Sequence, residues 1–144
     1  PGECHVHAAM KYEEIRNLRE EYPDSEVLIH PECACGSQAM LMAQRNNDDS
    51  IHFLSTEAMV DKSKDSKSKN LIVATEEGII HKMKKICPDK NFIPINRTAM
   101  CNFMKMITVE KIYYTLKNEQ PEIKVPESLA NRARLAIDRM ISIG

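Results

Sequence analysis

A histidine, a carboxylate and two thiols fall between positions 30 and 35, inside the stretch 26–36 that reads Glu-Val-Leu-Ile-His-Pro-Glu-Cys-Ala-Cys-Gly. An imidazole and a carboxylate this close can pass protons, and paired thiols can hold a soft metal or oxidise. Just ahead lies Val27-Leu28-Ile29, whose length and β-branched content fit a buried strand, with Pro31 and Gly36 shaping the turn that follows. In open α/β sheets, ligands bind beyond the carboxyl ends of strands, which is where this turn would stand. The competing reading is a surface loop with one core-facing cysteine.

Two further apolar runs end in polar groups: Ile51-His52-Phe53-Leu54 in Ser55-Thr56, and Leu71-Ile72-Val73-Ala74 in Thr75-Glu76-Glu77. In a parallel sheet all three endings share one edge. Strand-to-helix turns use Ser and Thr as caps anyway, so Ser55 and Thr56 taken singly fit a capping role; a capped helix N-terminus also attracts carboxylates and phosphates. Cys4 and Cys101 each precede a helix and belong to no C-x-x-C pair, so neither zinc-ribbon nor bacterial ferredoxin spacing is present. Isolated cysteines commonly serve as small core hydrophobes, the expected role of Cys87. Cys33 and Cys35 form C-x-C, a weak metal signal on its own.

The elements that must position these groups alternate. Tyr12, Ile15, Leu18 and Tyr22 recur at helical spacing before Pro23, and residues 37–45 favour a helix that Ser37 can cap. A short helix is expected from Thr56 to about Val60, followed by a solvated charged stretch at 61–70. Ile79, Ile80, Met83, Ile86 and Cys87 mark another helix that ends at Pro88. Phe92-Ile93-Pro94-Ile95 reads as a short strand that Pro94 assigns to a sheet edge or cuts short. Residues 1–97 therefore predict an α/β fold, a small parallel sheet with helices on both faces. Beyond them the pattern becomes helical: Thr108 can cap a helix bearing Val109, Ile112, Tyr113 and Leu116. Pro121 and Pro126 bracket a linker, and a last helix is expected to bury Leu129, Ala133, Ala136, Ile137 and Met140.

The chain has 144 residues, enough for one ordinary domain, and a net charge of −1 with no basic face, which argues against nucleic acid as a partner. Its apolar runs are too short to span a membrane. It begins at Pro1 rather than methionine, so it reads as a piece of a longer chain. Five cysteines, an odd number, fit reduced cytoplasmic thiols better than a secreted disulfide framework.

Five ordered motifs resemble a known family: Gly2-x-Cys4-x-Val6-His7, His30-Pro31-Glu32-Cys33, Leu54-Ser55-Thr56-x-x-Met59, Ala74-Thr75-Glu76-x-Gly78-Ile79-x-His81-x-Met83 and Cys101-x-x-Met104-Lys105-x-Ile107-Thr108. Together they resemble the C-terminal part of quinolinate synthase, an iron–sulfur enzyme of de novo NAD biosynthesis, and the likeness continues to the helix with Ala136-Ile137-Asp138-Arg139-Met140. The resemblance implies three pseudo-symmetric α/β/α domains around one 4Fe–4S cluster. Cys4 and Cys101 would be two of its three cysteine ligands, and the third would lie in a missing N-terminal portion. It implies that His30, Pro31 and Glu32 contact substrate and that Thr56 holds a substrate carboxylate; His30 and Glu32 are then placed for catalytic proton transfers, and Ser55 joins Thr56 in the substrate-binding turn. The implied reaction condenses iminoaspartate with dihydroxyacetone phosphate to quinolinate in the cytoplasm. Residues 1–97 would be one domain; 98–144 would carry Cys101 and helices that pack on the missing domain, with pairing of two copies left open. Two departures stand out. Many relatives have glycine where Leu54 stands, and Cys35 has no implied role; it could oxidise with Cys33 or with another cysteine. The alternative to an enzyme is a cysteine-bearing α/β binding module with structural zinc or no metal.

Overall fold

Four short runs rich in β-branched and aromatic residues form the strands β1 (Glu26–Ile29), β2 (Ile51–Phe53), β3 (Asn70–Ala74) and β4 (Asn91–Pro94). All pair in parallel, in the order β2-β1-β3-β4. The structure, a computed structural model, describes residues 4–143, which fall into two units divided between Asn102 and Phe103.

In the first unit the strands alternate with α1 (His5–Ala8), α2 (Tyr12–Glu21), α3 (Gly36–Asn46), α4 (Thr56–Asp65) and α5 (Ile79–Ile86). The chain passes from β1 to β2 in one direction, then returns across β1 to β3 and on to β4 in the other. Right-handed crossovers must then put α3 on one face and α4 and α5 on the opposite one. The core follows this rule. Val27, Ile29, Ile72 and Ala74 pack with Ile15 of α2 and Ala39 of α3. Leu28, Leu71 and Val73, one residue out of phase, pack with Met59 and Val60 of α4 and Met83 of α5. A parallel sheet covered by helices on both faces is thus the observed fold, as the alternation of the sequence predicts. β4 is an edge strand and ends at Pro94.

Two elements differ from expectation. Helix α4 runs on to Asp65, into the stretch read as solvated surface. Asp61 and Lys64 face outward, with Lys64 Nζ 2.6 Å from Asp61 Oδ1, while Ser63 turns inward and its hydroxyl donates to the Val60 carbonyl at 2.7 Å. A buried serine that bonds its own helix costs little, and a charge count conceals it. Helix α3 begins at Gly36, with Cys35 in the capping position, so Ser37 lies in the first turn rather than before it.

At the amino edge of the sheet, opposite the turns of interest, Glu26 accepts hydrogen bonds from Ser66 Oγ (2.8 Å) and His52 Nε2 (3.0 Å), and Lys62 Nζ lies 3.2 Å away. Burial alone would raise its pKa. Hydrogen bonds from Ser66 and Lys62, joined by the Lys62 and His52 charges, outweigh that and hold it below the ordinary carboxylate value. A depressed folded pKa gives stability that is present above the unfolded pKa and lost as pH falls through the folded one. Glu26→Gln is therefore expected to cost about 1–2 kcal/mol in urea unfolding at neutral pH. The two proteins should converge in acid below the ordinary carboxylate range.

The second unit contains α7 (Val109–Asn118) and α8 (Glu127–Ile143), while the short α6 (Asn102–Lys105) begins at the boundary. Thr108 Oγ1 accepts from the Lys111 N–H at 3.3 Å, the predicted cap. The apolar stripe of α8, expected to pack on a part of the protein not spanned here, is open in this chain: Leu129 is 52% exposed and Met140 66%. Two helices alone present too little opposing surface to cover it.

Candidate active site

The strand order reverses direction between β1 and β3, so the carboxyl ends of these two strands flank the crevice where ligands of open α/β sheets bind. Residues 30–36 follow β1 and Thr75-Glu76-Glu77 follow β3. A backbone hydrogen bond from the His30 N–H to the Ala74 carbonyl (3.1 Å) ties the two endings together.

The first helix adds a group to this crevice. Helix α1 sets His7 against His30, with ring centroids 4.7 Å apart and planes 6° from parallel. The backbone fixes this approach, because the Ala34 N–H donates to the His7 carbonyl at 3.2 Å. His7 is buried, its Nε2 lies 3.1 Å from Thr75 Oγ1, and Thr75 is buried as well. Its Nδ1 is buried without a hydrogen-bond partner among the described residues and faces Glu32 Oε2 across 3.8 Å, too far for a hydrogen bond. Burial, and secondarily the neighbouring His30, lower the His7 pKa; the Glu32 carboxylate opposes both. His7 is therefore neutral at pH 7.

Glu32 is mostly exposed, and its backbone N–H donates to His30 Nδ1 at 3.3 Å. With Nδ1 accepting, a neutral His30 carries its proton on Nε2. The ligand atoms of His7, His30 and Glu32 lie within 4.8 Å of one another. The stacked rings, however, aim their in-plane lone pairs along parallel planes rather than at one point. As arranged, the trio suits the binding and protonation of an organic acid better than a metal ion.

The other predicted residues stand as follows. Pro31 is exposed on the turn between His30 and Glu32. Ser55 and Thr56 follow β2, on the same edge of the sheet but on the far side of β1 from β3. Ser55 Oγ accepts from the Ala58 N–H at 3.4 Å and so caps α4, leaving Thr56 exposed in the first turn. Cys4 and Cys101 are free, half-buried thiols, and both pack against the core cluster that contains Ala74 and Ala99. Glu76 and Glu77 hold the segment before Cys101: Glu76 Oε1 accepts from the Cys101 N–H (3.3 Å), and the Glu77 N–H donates to the Ala99 carbonyl (2.9 Å). Cys4 opens α1, the helix that carries His7 to Thr75. Both free thiols thus sit on segments fastened around the end of β3. Half-buried thiols that, among the described residues, make no capping hydrogen bond and bond no other cysteine are a donor set suited to an iron–sulfur cluster.

Cys33 and Cys35 correct the expectation that all the thiols are reduced: they form a disulfide, one of the two pairings open to Cys35. The tight turn sets their Cα atoms 5.2 Å apart, inside bonding range, and both side chains are buried in the core. Cys87 is buried beside Ser63, as expected of a core cysteine. Alkylation of the unfolded, unreduced chain should label Cys4, Cys87 and Cys101 but spare Cys33 and Cys35 until a reductant is added. Peptide mapping that finds both labelled at once would mean the bond is absent in solution.

His7 is the site residue that the sequence reading passed over. Its signal was its place three residues after Cys4 in a quoted motif, but nothing local shows that α1 folds back onto a turn more than twenty residues away.

Fold and site together define a doubly covered parallel α/β domain whose switch point gathers two imidazoles and carboxylates beside two free thiols. The family model described as "Quinolinate synthetase A protein" matches residues 1–142. The quinolinate synthase of Thermus thermophilus is 44% identical over 144 residues, that of Pyrobaculum aerophilum 45% over 139, and that of Mycobacterium tuberculosis 33% over 145. These alignments cover 100%, 96% and 99% of this chain and 45%, 45% and 42% of the relatives. The chain belongs to the quinolinate synthase family, and it spans less than half the length of the curated relatives it matches.

Proposed function

We propose that the full protein containing this chain condenses iminoaspartate with dihydroxyacetone phosphate, giving quinolinate, phosphate and two waters as a step of NAD biosynthesis. The observation that carries this reading is the stacked His7–His30 pair with Glu32 beside it, at the switch point of a chain matched by the family model over residues 1–142. Two N–H donors near one carboxylate acceptor suit a substrate that is a dicarboxylic acid and must lose protons on carbon. His30 Nε2–H pairs with a carboxylate, and the first turn of α4 at Ser55 and Thr56 receives another. Two anions repel, so Glu32 does not face a carboxylate. It accepts a proton during condensation and water loss, or binds the substrate nitrogen.

Cys4 and Cys101 would hold a 4Fe–4S cluster together with a third thiolate from the portion of the full protein not spanned here. When bound, such a cluster with one open iron supplies Lewis-acid polarisation of a hydroxyl or carboxylate. The reaction belongs in the cytoplasm, where thiols such as Cys4 and Cys101 stay reduced.

The test is direct. Full-length protein purified without oxygen should form quinolinate from freshly generated iminoaspartate and dihydroxyacetone phosphate, and release one phosphate per product. A protein that holds a cluster and makes none under these conditions would refute the assignment.

A further inference from the structure

The two stacked imidazoles differ in what occupies their inner nitrogens. For His30 the occupant is a backbone N–H, which can only donate. For His7 it is the Thr75 hydroxyl, which can donate or accept, so the tautomer follows from what else each group can reach. Thr75 is 3% exposed, and among the described residues its hydroxyl has one hydrogen-bond partner, His7 Nε2. If Nε2 carried the proton, the hydroxyl hydrogen would be buried without an acceptor, and the Nδ1 lone pair would face the Glu32 carboxylate 3.8 Å away. Both arrangements are unfavourable. With the hydroxyl donating to Nε2, the hydrogen is satisfied and the His7 proton moves to Nδ1, pointing toward the carboxylate.

We infer that Thr75 is a positioning residue: its hydroxyl donates to His7 Nε2 and so locks His7 in the tautomer that presents an N–H at Nδ1 to an anionic ligand. This rests on the function proposed above, which makes that ligand a carboxylate of the substrate. Among the described residues His7 Nδ1 is the buried imidazole atom left without a partner, so a ligand oxygen there would satisfy a donor the fold leaves open. The stacked rings then carry opposite tautomers, Nδ1–H on His7 and Nε2–H on His30, and each offers one N–H. Such a pair fits a ligand with two carboxylates. A hydroxyl behind the ring does for His7 what an outer hydrogen-bond partner does for a histidine in a metal site, fixing both orientation and proton position.

The experiment uses the full-length protein with Thr75→Val, Thr75→Ser, His7→Gln and the double variant Thr75→Val/His7→Gln. Two readouts are taken: the ¹⁵N spectrum of labelled histidines in apoprotein, with His7 assigned by its loss in His7→Gln, and the affinity for quinolinate as a dicarboxylate probe. Wild type and Thr75→Ser should show His7 protonated at Nδ1. Thr75→Val, which keeps the shape but lacks the donor, should show a mixture of tautomers and bind quinolinate about tenfold more weakly. In the His7→Gln background, Thr75→Val should weaken binding no further, because the hydroxyl acts through His7. The inference is overturned by a wild-type His7 protonated at Nε2, by unchanged affinity in Thr75→Val, or by a loss that persists without His7. Wild-type protein that binds no quinolinate would remove the proposed function instead, and the His7 spectrum would still decide the tautomer.

Discussion

Replacing Cys101 by serine in the full-length protein should abolish the iron–sulfur centre proposed above, taking bound iron from about four per chain to near zero and the brown colour with it. Cys4→Ser should do the same. The expectation rests on how these thiols are held. Glu76 takes the Cys101 N–H on one carboxylate oxygen and the Gly78 N–H, at 2.7 Å, on the other, so the Cys101 backbone is fixed to the turn that follows β3. Cys4 starts the helix whose His7 bonds to the neighbouring Thr75. Serine keeps the size but not the soft thiolate, and an anchored backbone cannot move another donor into its place. Cys87→Ser is the control. Cys87 packs between Met83 and Ser63 on the opposite face of the sheet, and its loss should leave the iron content unchanged. An intact cluster in Cys101→Ser would remove the cluster assignment.

Glu32→Gln should lower turnover by about 10²- to 10⁴-fold, the range for loss of a general base, while iron content stays at the wild-type level. Glutamine preserves the length of the side chain and its hydrogen bonding but cannot take up a proton. Because the Glu32 side chain is mostly exposed and bears little of the core, the variant should fold normally. Its KM should stay within a few-fold of wild type, a split that separates proton transfer from binding. His30→Ala should instead raise KM as well as lower kcat, since it removes an N–H donor and the ring on which His7 stacks. Near-normal turnover in Glu32→Gln would reduce the turn to a shaper of the pocket.

Much of this frame was readable from local pattern. Val27-Leu28-Ile29 and Leu71-Ile72-Val73-Ala74 are apolar without interruption because both faces of their strands are covered, and such runs signal a parallel sheet. Thr108 and Ser55 were legible as caps because capping is a contact with a residue three positions on. What was hidden depended on distant contacts or on orientation. The stacking of His7 on His30 and the bond from His7 to Thr75 join segments that share no periodicity. The burial of Ser63 was masked by the charges on either side of it, of which Lys64 lies outward and Lys62 reaches Glu26 at the sheet edge. The Cys33–Cys35 bond depended on a turn conformation that C-x-C spacing permits without requiring.

The sheet also sets the pace at which this domain can assemble. Among the described residues no two neighbouring strands are joined by a hairpin: the register pairs Val27 with Ile51, Glu26 with Leu71, and Asn70 with Asn91, each across more than twenty residues. Every ladder therefore closes a long loop before any of its bonds form, which places refolding nearer the slow, high-contact-order regime than the microsecond one. β1 is made first yet lies between β2 and β3, so Val27, Leu28 and Ile29 wait unshielded until residues near 74 leave the ribosome. In that interval β1 can pair with β2 on one side, but its other edge stays open. The yield of this protein in a cell should therefore depend on chaperone capacity and growth temperature more than its finished stability would suggest.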